Sequence, residues 1–306
     1  MDDVSQLKTV TSLSGGKSSG YMWLHYPTDH CLFALVLTDD PATAPKDPGI
    51  LREVQRRIPG FVGTTELELT LANVLKLEQE AQRPITWVCA YEGQSSPGYI
   101  SDSAWLPNPL TFDRLTQYRK GLPDKTKRFC TEELKVLAIW WHVYLHIFEH
   151  PDDMVWMHIG YRADEGHRWV KLQQCKQNRI KYPYSCPVGA KNKRHKHNWK
   201  EHEYRIPDAP MWRNSIDHLD VMKYWHDAGW AWPLVSNCAH CFYHNDSELQ
   251  HNYDTSEQGK SVINWGSNLE QSKGARFDSD RTLDQRLATQ QGQLFNPGEF
   301  ACFCTD

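Results

Sequence analysis

The feature that most constrains the fold of this chain is a glycine loop between a predicted strand and a predicted helix. Residues 10–14 form a short, mostly apolar run that stops at Gly15-Gly16, and a helix is expected to begin at Ser18 or Ser19. Seven consecutive apolar residues at 31–37 then have the pattern of a strand buried on both faces. The N-terminal segment therefore predicts a βαβ unit.

The alternation of strands and helices continues along the chain. Helices are expected at 51–58, 70–81, 112–120 and 131–149, and strands at 85–90 and 155–160, with a Gly-, Ser- and Pro-rich loop over 91–109. This order predicts an α/β fold with a doubly wound, mostly parallel sheet. In such folds ligands bind at the carboxyl ends of the strands.

Composition shifts divide the predicted chain into two parts. The sequence turns polar and basic near 175–210, and after Tyr253 it becomes rich in Gln, Asn and Ser while keeping some apolar residues. We expect one domain over 1–245, which contains the glycine loop, with a basic insertion near 186–210. A C-terminal, mainly helical extension is expected over 246–306.

Charge and cysteine content exclude several classes of protein. The net charge of -4 excludes a globally basic nucleic-acid binder. No apolar run approaches membrane-spanning length and no leader is evident, so we expect a cytoplasmic protein with no membrane contact. Nine cysteines in a reducing compartment favour metal ligands or redox thiols over disulfides. Cys31 and Cys89 lie in apolar runs and are expected in the core.

The glycine loop has the residues of an anion site. Glycines allow a tight turn, and the N–H groups and dipole at the start of a helix attract negative charge. The candidate nucleotide-binding residues are Ser14, Gly15, Gly16, Lys17, Ser18 and Ser19. A Walker A loop is disfavoured, because Thr11 stands where that motif needs glycine. The alternative is a Gly-Ser turn that only caps a helix.

The Ser-Gly-Gly-x-x-Ser motif resembles the PP-loop of N-type ATP pyrophosphatases and of the phosphoadenosine-phosphosulfate reductase family. Further segments resemble the same family in the same order: Arg128-Phe129-Cys130-Thr131 with Lys135, residues 159–165 with Arg168, and Asp220-Val221 with Trp225 followed by residues 237–242. The resemblance spans about residues 9–245. It implies an adenine-nucleotide site that takes ATP, AMP or an adenylyl sulfate.

The resemblance also implies roles for residues outside the loop. Gly160 and Arg162 are expected to contact the nucleotide, and Lys17, Arg162 and Arg168 to stabilise charge on the leaving phosphates. Spacing alone also allows Arg162 and Arg168 to form a surface pair with nearby acidic residues.

Two departures from the family pattern limit what can be carried over. Thr38 and Asp39 stand where reductases have Asp-Thr-Gly and remain candidates for nucleotide contact. Asp39 or Asp40 is a candidate magnesium ligand, with capping of a turn as the alternative. The Glu-Cys-Gly-Leu-His motif of sulfate-assimilating reductases is absent, which disfavours thioredoxin-dependent reduction.

The cysteines suggest a metal centre. Cys238 and Cys241 form a Cys-x-x-Cys pair, and the resemblance implies that Cys130 joins them to hold a 4Fe-4S cluster, with Cys186 or a substrate atom on the fourth iron. The alternatives are zinc, with His244, Cys302 or Cys304 completing the site, and free thiols. Thr131 is expected to cap a helix entered at Glu132, which would lower the pKa of Cys130 beside Arg128.

Two hypotheses of function follow. The first is a PP-loop enzyme that adenylates a substrate or transfers sulfur with help from the cluster. The second is a nucleotide-binding accessory protein, since the resemblance extends to stand-alone relatives of phages, plasmids and type IV CRISPR loci. Its basic segment at 191–205 would contact nucleic acid or a protein partner, unless that segment is only a solvated loop.

Overall fold

The computed structural model describes residues 7–92, 108–150, 153–174, 179–183, 199–234 and 238–289. Its strands are β1 (Thr9–Leu13), β2 (His30–Ala34), β3 (Leu37–Thr38), β4 (Gly63–Thr64), β5 (Thr86–Val88), β6 (Val155–His158), β7 (Arg179–Pro183), β8 (Trp199–Glu203) and β9 (Arg205–Asp208). Its helices are α1 (Lys17–His25), α2 (Pro48–Arg57), α3 (Glu68–Ala81), α4 (Phe112–Arg119), α5 (Phe129–Thr131), α6 (Leu137–His142), α7 (Gly166–Gln173), α8 (Pro210–Arg213), α9 (His218–Asp227), α10 (Asp246–Thr255), α11 (Glu257–Lys273) and α12 (Leu283–Ala288).

The central sheet has five strands in the order β5-β2-β1-β6-β9, and every neighbouring pair is parallel. In β1, Val10 lies between His30 of β2 and Met157 of β6. The chain runs outward from β1 through β2 to β5 and then returns to the other side of β1. This confirms the doubly wound sheet, and the switch point between β1 and β6 is where such folds open a crevice.

Helices cover both faces of the sheet. The first core joins β-sheet residues such as Val10 and Leu32 to Trp140 of α6 and to Val262 of α11. The second core packs Phe33 and other residues of the opposite face against α1, α3 and α9. The helices expected after residue 246 are therefore present, and they share a core with the sheet.

Two predicted elements differ from the structure. The apolar run at 31–37 divides into β2 and β3, because β3 leaves the central sheet to pair antiparallel with β4. The helix expected from residue 131 begins at Phe129, and π-helical turns at Glu132–Val136 and Val143–Ile147 flank α6. The expected cap at Thr131 is wrong, since Arg128 is the N-cap residue and no side chain caps this helix.

Within the part of the chain that the structure describes, no helix combines the length and apolarity needed to cross a bilayer. Strand β8, inside the basic insertion expected near 186–210, pairs antiparallel with β7, which precedes that insertion.

Candidate functional site

The glycine loop lies at the switch point, between the end of β1 and the start of α1. Gly15 has a φ of +77°, and a Cβ there would come within 2.7 Å of Thr70 Cγ2 and 3.0 Å of Phe33 Cε2. Only glycine fits this turn. Gly16 is the N-cap residue of α1, and no side chain caps the helix. The amides of its first turn therefore have no side-chain acceptor at the cap.

Ser14 and Ser19 form hydrogen bonds within the glycine loop. The Ser19 hydroxyl accepts a hydrogen bond from the Ser14 amide at 3.2 Å and donates to the Gly16 carbonyl at 3.1 Å. The two serine hydroxyls are 2.9 Å apart. Ser19 is buried and its hydroxyl forms these hydrogen bonds within the loop, so it stabilises the turn.

The segment after β6 packs directly on the loop. A Cβ at Gly160 would lie 3.1 Å from both the Cα and the amide nitrogen of Ser19. Two residues later, Arg162 Nη1 donates to Ser18 Oγ at 2.8 Å. The fold thus brings together two segments that are 144 residues apart and that sequence analysis assigned to one nucleotide site.

Arg162 and Arg168 are paired with acidic residues, as the surface-pair alternative predicted. Both arginines are buried, however, so the pairs do not lie on the surface. Arg162 binds Asp164 through Nε and Nη2 at 3.1 and 3.0 Å. Burial alone would raise the pKa of Asp164, but the hydrogen bond and charge of Arg162 hold it below its usual range. Arg168 Nη1 binds Glu165 at 2.5 Å, and its guanidinium lies over the Tyr161 ring. Arg162 is thus the arginine that contacts the loop.

Lys17 connects the loop to two other parts of the chain. Its main-chain carbonyl accepts a hydrogen bond from Trp225 Nε1 at 3.0 Å, which ties α9 to the start of α1. Its ammonium group donates to the Leu234 carbonyl at 3.4 Å. The Lys17 side chain thus reaches the segment that follows α9.

Thr38 and Asp39 belong to a different local structure. Thr38 is fully buried and its hydroxyl is 2.6 Å from that of Thr43, while the Asp39 amide donates to Asp113 Oδ2 at 2.9 Å. In the described residues no hydrogen bond joins either one to the glycine loop. Asp40 caps the short turn Pro41–Thr43, as the capping alternative predicted.

The three predicted ligand cysteines line one pocket. Cys130, at the start of the π-distorted helix, lines this pocket together with Cys238 and Cys241, and Arg128 and Lys135 line it as well. The remaining lining is largely apolar. In the described ranges, no group of three or more His, Cys, Asp or Glu side chains forms a candidate site for a metal ion.

The protonation state of Cys130 differs from the prediction. Burial raises the pKa of its thiol, and this effect outweighs Lys135, Thr131 and Arg128, which act to lower it. The helix start was expected to favour the thiolate, but desolvation in an apolar pocket penalises the charged form more strongly. The ligand-free protein therefore holds Cys130 as a thiol.

Glu66 is a neighbour of the cysteine pocket that sequence analysis missed. Its fully buried carboxylate binds Lys135 Nζ at 2.8 Å, and Cys238 Sγ lies 3.8 Å from the same oxygen. Glu66 Oε2 is buried without a hydrogen-bond partner. Lys135 is therefore charge-compensated before any anion reaches the pocket. No local sequence pattern marks Glu66, because its partners lie 69 and 172 residues away.

One ring nitrogen of His244, the histidine predicted as a zinc ligand, is hydrogen-bonded. His244 Nε2 donates to the Cys238 carbonyl at 2.9 Å, and its Nδ1 faces Glu248 at 3.5 Å. Because Nδ1 is buried without a hydrogen-bond partner, it is the ring nitrogen that a zinc ion would bind. Cys186, Cys302 and Cys304 lie outside the described residues.

A second cleft adjoins the loop at the ends of β1, β2 and β6. Its lining combines hydroxyl groups, apolar side chains and the cations Lys135 and Arg205. The lining residues are Ser12, Leu13, Ser14, Ala34, Lys135, Val136, Ile139, Ile159 and Arg205. Lys135 lines this cleft and also the cysteine pocket. Ser14 of the glycine loop and Lys135 of the cysteine pocket therefore both line this cleft.

Arg205 corrects part of the predicted basic surface. It is buried, its guanidinium donates to Met157 Sδ at 3.3 Å, and it lies over the Tyr204 ring. The last cation of the 191–205 segment therefore belongs to the interior, because β9 inserts it beside β6. Residues 191–198 lie outside the described residues.

No family model, no curated protein and no solved structure matches this chain. The geometry of the site therefore carries the functional argument.

Proposed function

We propose that this protein binds ATP with its phosphates on the glycine loop and uses it as a PP-loop enzyme, for adenylation or sulfur transfer. The observation that carries the proposal is the contact between the loop and the segment after β6 at the sheet's switch point. There, Arg162 reaches Ser18 beside a helix start that no side chain caps. A phosphate at this place would accept hydrogen bonds from loop amides, and the positive charge of Lys17 would attract it.

The second cleft supports a position for the nucleoside. It is contiguous with the loop through Ser14, and apolar residues such as Ala34 and Ile159 can cover a flat base. Ser12 and Ser14 add hydroxyl groups that can bind a ribose. AMP, which has the same base and ribose, should occupy the same cleft. Magnesium would bind through the phosphates of ATP.

The cysteine pocket supports an iron–sulfur cluster as the cofactor of this enzyme. Each thiolate of a 4Fe-4S cluster binds a different iron, and all three cysteines line this one pocket. Cys130, Cys238 and Cys241 would hold three irons. When bound, the cluster would supply an iron open to a sulfur atom of the substrate. The apolar lining would exclude water from that position.

Calorimetric titration with ATP and AMP tests the nucleotide site. Gly16→Asp should weaken ATP binding by at least about 100-fold, because its carboxylate would occupy the place of a phosphate. Gly16 has an ordinary φ of -101°, and Asp is a favourable N-cap residue, so the variant should fold. Gly121→Asp is the matched control, since a side chain there meets open space. Equal ATP affinity of wild type and Gly16→Asp would contradict the proposal.

Pyrophosphate release from ATP distinguishes the enzyme from the accessory protein. An adenylating enzyme should release pyrophosphate when its acceptor is present, so the assay is run with and without added tRNA or DNA. ATP binding without turnover under all these conditions would favour the accessory protein.

A further inference from the structure

The carboxyl group of Glu66 lies beside the cysteine pocket, and one of its two oxygens has no partner. Oε1 accepts a hydrogen bond from Lys135 Nζ at 2.8 Å, and Cys238 Sγ lies 3.8 Å from the same oxygen. Oε2 is buried and forms no hydrogen bond with the described part of the chain. A buried carboxylate oxygen costs free energy unless a donor or a cation reaches it. The orphaned Oε2 therefore indicates a ligand that brings a donor or a cation to this carboxylate.

Main-chain hydrogen bonds hold Glu66 in this position. Gln258 of α11 donates through Nε2 to the Glu66 carbonyl at 2.8 Å. The Ala239 amide donates to the Thr65 carbonyl at 2.9 Å, which joins the segment before α3 to the residue that follows Cys238. The backbone on both sides of the contact between Glu66 and Cys238 is therefore fixed by the fold, and the carboxylate keeps its place beside the cysteine without help from a ligand.

The cysteines that line the pocket are one ligand short of a complete 4Fe-4S site. Cys130, Cys238 and Cys241 can each bind one iron, so the fourth iron needs a ligand of another kind. The carboxylate of Glu66 lies against Cys238 and has an oxygen to offer. Carboxylates are established ligands of protein-bound iron, but they are harder than thiolates, so a sulfur anion can displace them. The chemistry of Glu66 thus fits an exchangeable position on the cluster.

We propose that Glu66 binds the fourth iron through Oε2 when no substrate is present and releases it to a sulfur anion of the substrate. This inference rests on the proposed function, because it requires the cluster. Lys135 stays on Oε1 and offsets the charge of the carboxylate. In the exchange the Glu66 oxygen leaves and the sulfur takes its place, without a change in oxidation state. The site therefore selects soft sulfur anions, since an oxygen anion has no advantage over the carboxylate already in place.

An internal ligand lowers the apparent affinity of the site for an added sulfur anion. With Glu66 on the iron in about 90% of the molecules, the apparent Kd for the anion is about tenfold higher than the Kd of the open site. Removal of the carboxylate must therefore strengthen the binding of the anion. Damage to the pocket would weaken it instead, so the direction of the change separates a ligand from a residue that only supports the pocket.

Titration of the anaerobic holoprotein with sodium sulfide, followed by the visible absorption of the cluster, tests this inference. Glu66→Gln should bind hydrosulfide about tenfold more tightly than wild type, because the amide keeps an oxygen for Lys135 but is a poor ligand for iron. Lys135→Met is the control for the ion pair, and it should not bind hydrosulfide more tightly, because the carboxylate remains. Cys186→Ser tests the cysteine that the sequence suggested for the fourth iron, and it should titrate as wild type does.

Iron analysis after brief oxidation with ferricyanide gives a second measurement, in which Glu66→Gln should fall from about four to about three irons per chain sooner than wild type. Equal or weaker hydrosulfide binding by Glu66→Gln would overturn the role of Glu66. Equally tight binding by Lys135→Met would also overturn it, because loss of the ion pair would then explain the effect. Tighter binding by Cys186→Ser would assign the fourth iron to that cysteine instead. A wild-type protein that holds no iron without oxygen would overturn the proposed cluster itself.

Discussion

His142 shows how burial changes the chemistry of a single residue. It lies on α6 with its ring 4.7 Å from that of His146, and burial, followed by the charges of His146 and His30, lowers its pKa to about 4. Cys130 and Arg205 show the same principle, since each is an ionisable group whose surroundings are decided by the fold. A histidine kept neutral in this way resists protonation only while the protein is folded.

Acid should therefore destabilise the protein through His142. In the unfolded chain its pKa returns to about 6.5, so the unfolded state binds the extra proton as the pH falls from about 6.5 to about 4. Allowing for its partial exposure, the loss is roughly 2 kcal/mol. His142→Gln should show a smaller fall in Tm between pH 7 and pH 4.5 than wild type, measured by thermal unfolding. The exposed His150→Gln is the control, and equal pH dependence in all three proteins would refute the assignment.

At the scale of elements, the site depends on the contact between α1 and the segment after β6. Gly160 lies against the Ser19 backbone, and Arg162 donates a hydrogen bond to Ser18 in the first turn of the same helix. Trp225 of α9 adds a hydrogen bond to the Lys17 carbonyl at the start of α1. The loop is therefore held by three elements that are far apart in sequence.

Gly160→Ala should separate two of these elements. Its methyl group would be 3.1 Å from main-chain atoms of Ser19, which cannot turn away as a side chain could. We expect a loss of about 1–2 kcal/mol in the free energy of unfolding by urea, together with weaker ATP binding. Gly121→Ala meets open space and should change neither. A Gly160→Ala protein with wild-type stability and ATP affinity would show that this contact does not shape the loop.

At the scale of the whole molecule, the fold unites cysteines from two distant segments around one pocket. Cys130 precedes α6, whereas Cys238 and Cys241 follow α9, and the first core packs beneath them with α10–α12 on the same side. A cluster in this pocket would crosslink the two segments. Its loss should therefore be visible in stability as well as in colour.

Protein purified without oxygen should be brown, absorb broadly near 400 nm and contain about four irons per chain. Cys238→Ser should lose most of the iron and unfold at a lower temperature, because a crosslink is removed. Cys89→Ser is the control, since Cys89 lies in the second core and should not affect iron content. One zinc per chain would establish the zinc alternative, and a protein without metal would leave these cysteines as ordinary thiols.

The sequence by itself determined the class of fold and the position of the glycine loop. Apolar runs and helical spacing predicted the parallel sheet, and Cys31 and Cys89 are buried as expected. These features are local, because a glycine turn and a buried strand are each encoded by a few adjacent residues. The proximity of Gly160 and Arg162 to the loop was expected only from the family resemblance.

The tertiary structure alone decided which side chains surround the loop and the cysteines. In the fold, Thr38 lies in a buried turn and Arg205 lies in the protein interior. Glu66 contacts Lys135 and Cys238. Contacts between residues this far apart depend on how helices pack on the sheet, and charge and burial are properties of that packing. No local pattern contains them, and so the state of each ionisable group in the site had to come from the fold.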